Sequence, residues 1–333
     1  MVAVISHVND QKQPLLVLVG PTATGKTELS VNIARRLGAE VISADSMLIY
    51  RYMDIGTAKP TLEERRGVPH HMIDVVNPDE AYNVALYTRD VGRILEGIKK
   101  RRTLPFLVGG TGLYVKALLD GYNFSEAETD PSLRKKLISE LDILGKAGLH
   151  EKLNNIDPET ASRLHVNDVK RVIRALEVYY ISGKTISESC GKNVVSPFDT
   201  IIYGINMDRE LLYKRIEKRV DKMIGAGLVD EVRGLLEKGY SRSLVSMQGV
   251  GYKEIASYLE GEISLDQSIE LLKRNTRRLA KRQLTWFRRD HRIRWVDTSR
   301  KSMEELTSEI AATVEGVFKT TSKEISRNKC QWR

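Results

Sequence analysis

Residues 15–37 read LLVLVGPTATGKTELSVNIARRL, and this stretch decides the fold. Its first five residues form an uninterrupted apolar run ending in a glycine, the pattern of a strand buried on both faces. From Lys26 to Leu37 the apolar residues recur at helical spacing, and Gly38 supplies a C-terminal stop. The turn between them, GPTATGKT at residues 20–27, matches G-x-x-x-x-G-K-[ST] in full and has the strand and helix flanks that the motif requires. Each residue type serves phosphate binding. Gly20 and Gly25 let the loop through Pro21, Thr22, Ala23 and Thr24 curl, so that successive N–H groups face phosphate oxygens. The helix N-terminus adds partial positive charge. Lys26 neutralises the terminal phosphate, and the Thr27 hydroxyl is placed to ligate Mg²⁺.

Working outward, residues 40–44 and 104–108 read as further strands, running into Asp45 and into Gly109–Gly110, with a helical pattern from Leu113. Alternating strands and helices predict an α/β fold: a P-loop, parallel sheet with helices on both faces. Residues 201–205 and 293–296 add two strands. Between them, from about 122 to 198, strand signals vanish. Residues 131–144 and 168–181 are amphipathic there, the second stretch opened by Asn167 and closed by Gly183. The expected organisation is a core over residues 12–121, an inserted helical domain over 122–198, and a second core segment over 199–316. That second segment carries helices at 209–238, 251–259 and 265–288. A polar, mobile tail is expected over 317–333.

At 333 residues, 41% hydrophobic and 29% charged, the chain has the composition of a soluble globular enzyme. It has no apolar run long enough to span a bilayer and no basic leader, and its two cysteines, Cys190 and Cys330, lack metal-ligand spacing. A reduced, cytoplasmic, monomeric protein is expected. The net charge of +9 is unevenly placed: residues 273–294 carry ten Lys and Arg against the single acid Asp290. A solvated helix face normally mixes both signs, so this one fits a polyanion.

A Walker-A loop usually accompanies a carboxylate at the end of a neighbouring strand, which helps to hold Mg²⁺ in nucleotide hydrolysis. Here strand 104–108 ends in Gly109, Gly110 and Thr111, and Asp74 in HMID is a weak substitute. Ligands of open parallel sheets sit at the carboxyl ends of the strands, so Asp45 and Thr111 should face the phosphate loop. On position alone, Asp45 is as readily a helix cap or a structural carboxylate. Arg215 and Arg219, one helical turn apart, are candidate diphosphate clamps or a solvated face. His70 and His71 read as loop residues without a third metal ligand.

GPTATGKT, ISADSMLIYRYMDIGTAKP, VPHHMID, LPFLVGGTGLYVKALL, HVNDVKRVIRALEVYY and KRQLTWFRRD, in that order from Pro14 to Asp297, resemble the tRNA dimethylallyltransferases. The resemblance implies a P-loop, nucleotide-kinase-like fold with an inserted helical domain. It also implies transfer of a dimethylallyl group from its diphosphate to N6 of adenosine 37, beside the tRNA anticodon. Asp45 would then be the base, Thr111 would bond near the amine or the diphosphate, and Lys26, Thr27 and Mg²⁺ would hold the leaving group. Asp45, Ser46, Met47 and Leu48 would meet the target adenine or its neighbours. Asn167, Asp168, Val169, Lys170 and Arg171 would contact RNA, with Arg134 as a further candidate. Arg274, Arg278, Lys281 and Arg282 fall at helical spacing and would track phosphates, and Gln283 would reach a base. Leu48 stands where a common form of the second motif has Gln. The competing readings are a P-loop nucleotide or RNA kinase, an adenylate isopentenyltransferase acting on free AMP, and a non-catalytic RNA-binding protein.

Overall fold

The computed structural model describes residues 12–121, 130–189 and 196–330. In chain order, β1 is Gln13–Val19, α1 Lys26–Leu37, β2 Ala39–Ala44, α2 Leu62–Arg65, β3 His70–His71, α3 Val84–Arg101, β4 Leu104–Gly109 and α4 Gly112–Leu119. Then come α5 Pro131–Ile156, α6 Pro158–Arg163, α7 Val169–Ser182, α8 Ile186–Ser189, β5 Phe198–Asn206, α9 Arg209–Gly225 and α10 Leu228–Glu237. The chain continues through α11 Tyr252–Leu259, α12 Leu265–Phe287, β6 Arg294–Asp297 and α13 Met303–Cys330.

All six strands are parallel, in the order β3-β2-β4-β1-β5-β6. The registers pair Val19 with Gly109 and Gly109 with Ala44, so β1, β4 and β2 end level. That alignment brings Gly20, Gly110 and Asp45 to one edge of the sheet. The apolar run of β1 is buried on both faces, as parallel strands covered by helices must be. One core cluster joins Leu16 and Leu18 of β1 to Leu29, Ile33 and Ala34 of α1 and to Leu306, Ile310 and Val314 of α13. α3 buries Tyr87, Val91, Leu95 and Ile98 along one stripe.

Several elements differ from expectation. The two histidines, read as loop, form the edge strand β3, paired with Val41 and Ile42. His71 Nε2 lies 2.8 Å from Glu40, which also accepts from Arg101 and Thr103 and is held at a pKa of about 2, chiefly by the Arg101 bond. The helix expected at 209–238 is two, α9 and α10, because Gly227 takes a φ of 96° that breaks the hydrogen-bond ladder. α13 carries helical backbone through Cys330, past the point where a tail was expected.

The structure divides into two compact units. One comprises residues up to 83, 87–116 and 197 onward, and contains the whole sheet; the other comprises 84–86 and 117–196. The second begins at residue 117 rather than 122 because α4 continues unbroken through Leu118 and Leu119, both buried. Its own core is Leu137, Leu149, Leu153, Val172, Ile173 and Leu176. α5 extends beyond the expected 131–144 and kinks at Gly145, whose φ is 67°. α7 is preceded by Asp168, not Asn167, and Gly183 closes it in the left-handed conformation. Residues 122–129 and Cys190 lie outside the described residues.

Candidate active site

The phosphate loop takes the geometry its sequence demands. Gly25 sits at φ 89°, and a Cβ there would come within 2.7 Å of the Met303 side chain. Thr24 is fully buried, and its hydroxyl donates to Pro21 O at 2.8 Å. Lys26 Nζ donates to the same carbonyl at 2.6 Å. Thr22, Ala23, Gly25, Lys26 and Thr27 line a cavity of about 440 Å³, whereas Gly20, Pro21 and Thr24 shape the loop behind it. Asp45, Leu48, Gly110 and Arg219 complete much of that wall. Desolvation pushes Lys26 down to a pKa of about 7; the Asp45 carboxylate opposes the shift and Arg219 adds to it. Arg219 is itself lowered, first by desolvation, while Asp45 and Glu64 raise it. Lys26, Arg219 and Asp45 therefore meet in one cleft at the strand ends, whose wall also carries Glu28, Glu64 and Arg66.

Of the two arginines one turn apart on α9, only Arg219 enters the cavity. It donates to Thr57 O at 3.3 Å. The Arg215 guanidinium stays outside, 3.9 Å from where a Cβ on Gly25 would stand. Asp45 Oδ1 accepts from Met47 N–H at 2.9 Å, which bends the chain into the cleft after β2. Thr111, expected to reach a substrate, also holds this turn. Its Oγ1 accepts from Ser46 N–H at 3.0 Å and donates to Ser46 Oγ at 3.3 Å. Gln283, expected at the RNA, braces the phosphate loop: Oε1 accepts from Thr22 N–H at 2.9 Å, and Nε2 donates to Gly110 O at 3.1 Å. Asp74, the weak Walker-B substitute, pairs with Lys59 at 2.5 Å and is absent from the cavity wall.

A second cavity of about 90 Å³ shares Thr22, Asp45, Thr57, Arg219 and Gln283 with the first, and its remaining wall is mostly apolar: Met47, Val220, Met223, Val250, Leu272 and Leu279. Motif reading gave no sign of Val220, Met223, Leu272 and Leu279, since they are ordinary apolar positions until α9 and α12 pack together. Ser43 was missed as well. It lines the larger cavity, is 4% exposed, and its Oγ has no hydrogen-bond partner among the described residues. A buried hydroxyl without a partner in a cleft that also offers the Thr27 hydroxyl and the Asp45 carboxylate suits a hydrated divalent cation shared with phosphate oxygens.

Two-faced α12 carries most of the basic segment. Lys273 pairs with Asp221 at 2.8 Å and Arg277 with Glu217 at 2.7 Å, both on α9. Arg274, Arg278, Lys281 and Arg282 are exposed, and among the described residues no ion pair holds them. Phe287 is core, and Trp286 covers Gly112, where a Cβ would fall 2.2 Å from the indole. In the helical unit, Arg134 Nη1 lies 3.1 Å from Glu177, a carboxylate 1% exposed that requires a counter-charge. Arg134 supplies that charge together with Arg174. Asn167 Oδ1 accepts from Lys146 at 3.4 Å, and Arg171 pairs with Asp168 at 3.3 Å. Lys170 is exposed and Val169 begins α7.

A family model described as IPP transferase matches residues 48–290, and one described as isopentenyl transferase matches residues 13–75. A tRNA dimethylallyltransferase of Pelotomaculum thermopropionicum is 54% identical over 93% of this chain and 99% of its own length. The chain belongs to the tRNA dimethylallyltransferase family. Another family member, from Carboxydothermus hydrogenoformans, is 49% identical over 90% of this chain and 96% of its own. The crystal structure of a tRNA isopentenylpyrophosphate transferase from Bacillus halodurans aligns over 95% of this chain and all of that one, with a TM-score of 0.72 and 43% identity. A eukaryotic dimethylallyltransferase caught acting on tRNA aligns with a TM-score of 0.77 at 28% identity, over 93% of this chain and 80% of that one. The family's parallel sheet and helices are those described above.

Proposed function

We propose that the chain transfers the dimethylallyl group from dimethylallyl diphosphate to N6 of adenosine 37 in tRNA and releases diphosphate. The observation that carries this reading is the meeting of Lys26, Arg219 and Asp45 in one cleft at the strand ends. The diphosphate lies on the phosphate loop, where backbone N–H groups, Lys26 and Arg219 neutralise it. Thr27, with Ser43 on the same cavity wall, would hold Mg²⁺, which would supply further neutralisation of the leaving charge. The five-carbon chain occupies the smaller, apolar-walled cavity, which keeps water from the allylic carbon.

The exocyclic amine of adenine is a weak nucleophile because its lone pair is delocalised into the ring. As the N6–C1 bond forms, the C1–O bond breaks and the electron pair leaves with the diphosphate. The amine proton passes to Asp45, whose turn is fixed by Thr111 and Ser46. The adenine must be unstacked to enter, at roughly a few kcal/mol. Backbone contacts from the exposed cations of α12 and from Asn167–Arg171 offset that cost.

Replacing Asp45 with Asn keeps the size of the side chain and removes the base. Single-turnover transfer should fall about 10²- to 10⁴-fold, with tRNA affinity in a filter-binding titration held within a factor of a few. An equal loss of transfer and affinity would reject Asp45 as the base.

A further inference from the structure

The carboxylate of Glu231, on α10, is wrapped by a loop it does not belong to. Its Oε2 accepts from the backbone N–H of Asp54 at 2.9 Å and of Ile55 at 2.7 Å. Its Oε1 accepts from Gly56 N–H at 3.0 Å and from the Tyr252 hydroxyl at 2.7 Å. Four donors fill the acceptor capacity of an ionised carboxyl group. Three consecutive N–H groups aimed at one anion define the shape of their segment as a phosphate loop is defined by its phosphate. Tyr252 fixes the geometry from the other side: it is fully buried, and a Cβ on Gly56 would fall 2.6 Å from its ring.

What this segment carries is the connection to the cleft. The Thr57 hydroxyl donates to Met53 O at 2.6 Å and closes the turn. The Thr57 carbonyl then accepts from Arg219 Nη2 at 3.3 Å, and Thr57 and Arg219 line both cavities. We infer that Glu231 is a positioning residue for the leaving diphosphate: it templates the 54–57 turn, whose Thr57 carbonyl aims Arg219 into the cleft. This rests on the reading of that cleft as the diphosphate site. Glu231 lines neither cavity, so its influence on the diphosphate runs through the turn it holds and the Thr57 carbonyl that aims Arg219.

That restriction makes the inference testable by a double-mutant cycle. The affinity of the full-length protein for inorganic diphosphate with Mg²⁺ is measured by calorimetry for wild type, Glu231→Gln, Arg219→Ala and the double variant. The amide of Gln places a donor against backbone N–H groups, so Glu231→Gln should weaken binding about tenfold. Arg219→Ala should weaken it at least as much, and the double variant should bind no worse than Arg219→Ala alone. Losses that multiply would overturn the inference, as would wild-type affinity in Glu231→Gln. A purely structural role would lower the Tm in both backgrounds without making the binding loss vanish in one. Should Glu231→Gln fail to fold, Tyr252→Phe removes a single bond to the same carboxylate. It should weaken binding a few-fold alone and not at all beside Arg219→Ala. Wild-type affinity in Arg219→Ala would instead reject the diphosphate reading of the cleft, and the inference with it.

Discussion

Lys26 is cationic in water at neutral pH, but desolvation under the loop brings it to a pKa of about 7. The unfolded chain holds this proton up to about 10.4. Between these values the unfolded state binds more protons, so this group makes the ligand-free protein more stable as pH rises from 7 towards 10.4. The penalty is full below 7. A diphosphate reverses the balance by stabilising the ammonium. Binding of inorganic diphosphate near pH 8 should therefore take up a fraction of a proton, read from calorimetry in buffers of different ionisation enthalpy. Lys26→Met should abolish the part of the uptake that the ligand's own titration does not supply. Equal uptake in both proteins would mean that Lys26 is already charged in the free state. Lys26 and Asp45 were legible because a spacing or a strand end announces them. The bonds of Thr111 and Gln283 to Ser46, Thr22 and Gly110 were not legible, because they join residues distant in sequence. Arg219 could not be told from Arg215, because one helical turn of common face does not say which side chain lines the cavity.

At the scale of elements, α12 divides its charge by face. Lys273 and Arg277 pair with acids of α9, while Arg274, Arg278, Lys281 and Arg282 point outward. Reversing Arg278 and Arg282 to Glu should weaken tRNA binding and reduce the slope of log K against log salt by about 2, near one unit per lost phosphate contact. Reversing Arg277 should act on stability, by about 1 kcal/mol or less for a partly exposed pair, and leave the salt slope unchanged. If Arg277 and Arg278 changed the slope equally, the face assignment would be wrong. The paired acids, Asp221 and Glu217, lie 52 and 60 residues upstream of their partners, so the sequence shows the charge of α12 without its division. α3 was not read from the sequence, although its buried residues Tyr87, Val91, Leu95 and Ile98 fall at helical spacing. β3 left no pattern, since two residues are too few to show a period and only the exposed edge of β2 makes them a strand.

The whole molecule is organised by where its strands end. Level termini of β1, β4 and β2 put the phosphate loop, the Gly109–Gly110 turn and Asp45 side by side. Gly109 makes the approach possible: a Cβ there would fall 2.2 Å from Ala44 O. This arrangement follows from the alternating strand and helix pattern together with the rule that ligands bind at strand carboxyl ends, and so most of it was visible in the sequence. The boundary of the helical unit was less visible, because α4 runs through it without a break. A P-loop cleft of this kind serves kinases as readily as prenyltransferases, and what separates them is the acceptor and the bond broken. The most direct test is transfer of radiolabelled dimethylallyl from its diphosphate to unmodified tRNA, in the presence of ATP as a competing substrate and AMP as a competing acceptor. Label in tRNA that requires Mg²⁺ and is lost in Asp45→Asn is the predicted result; label in AMP, or phosphate released from ATP with unlabelled tRNA, would contradict it.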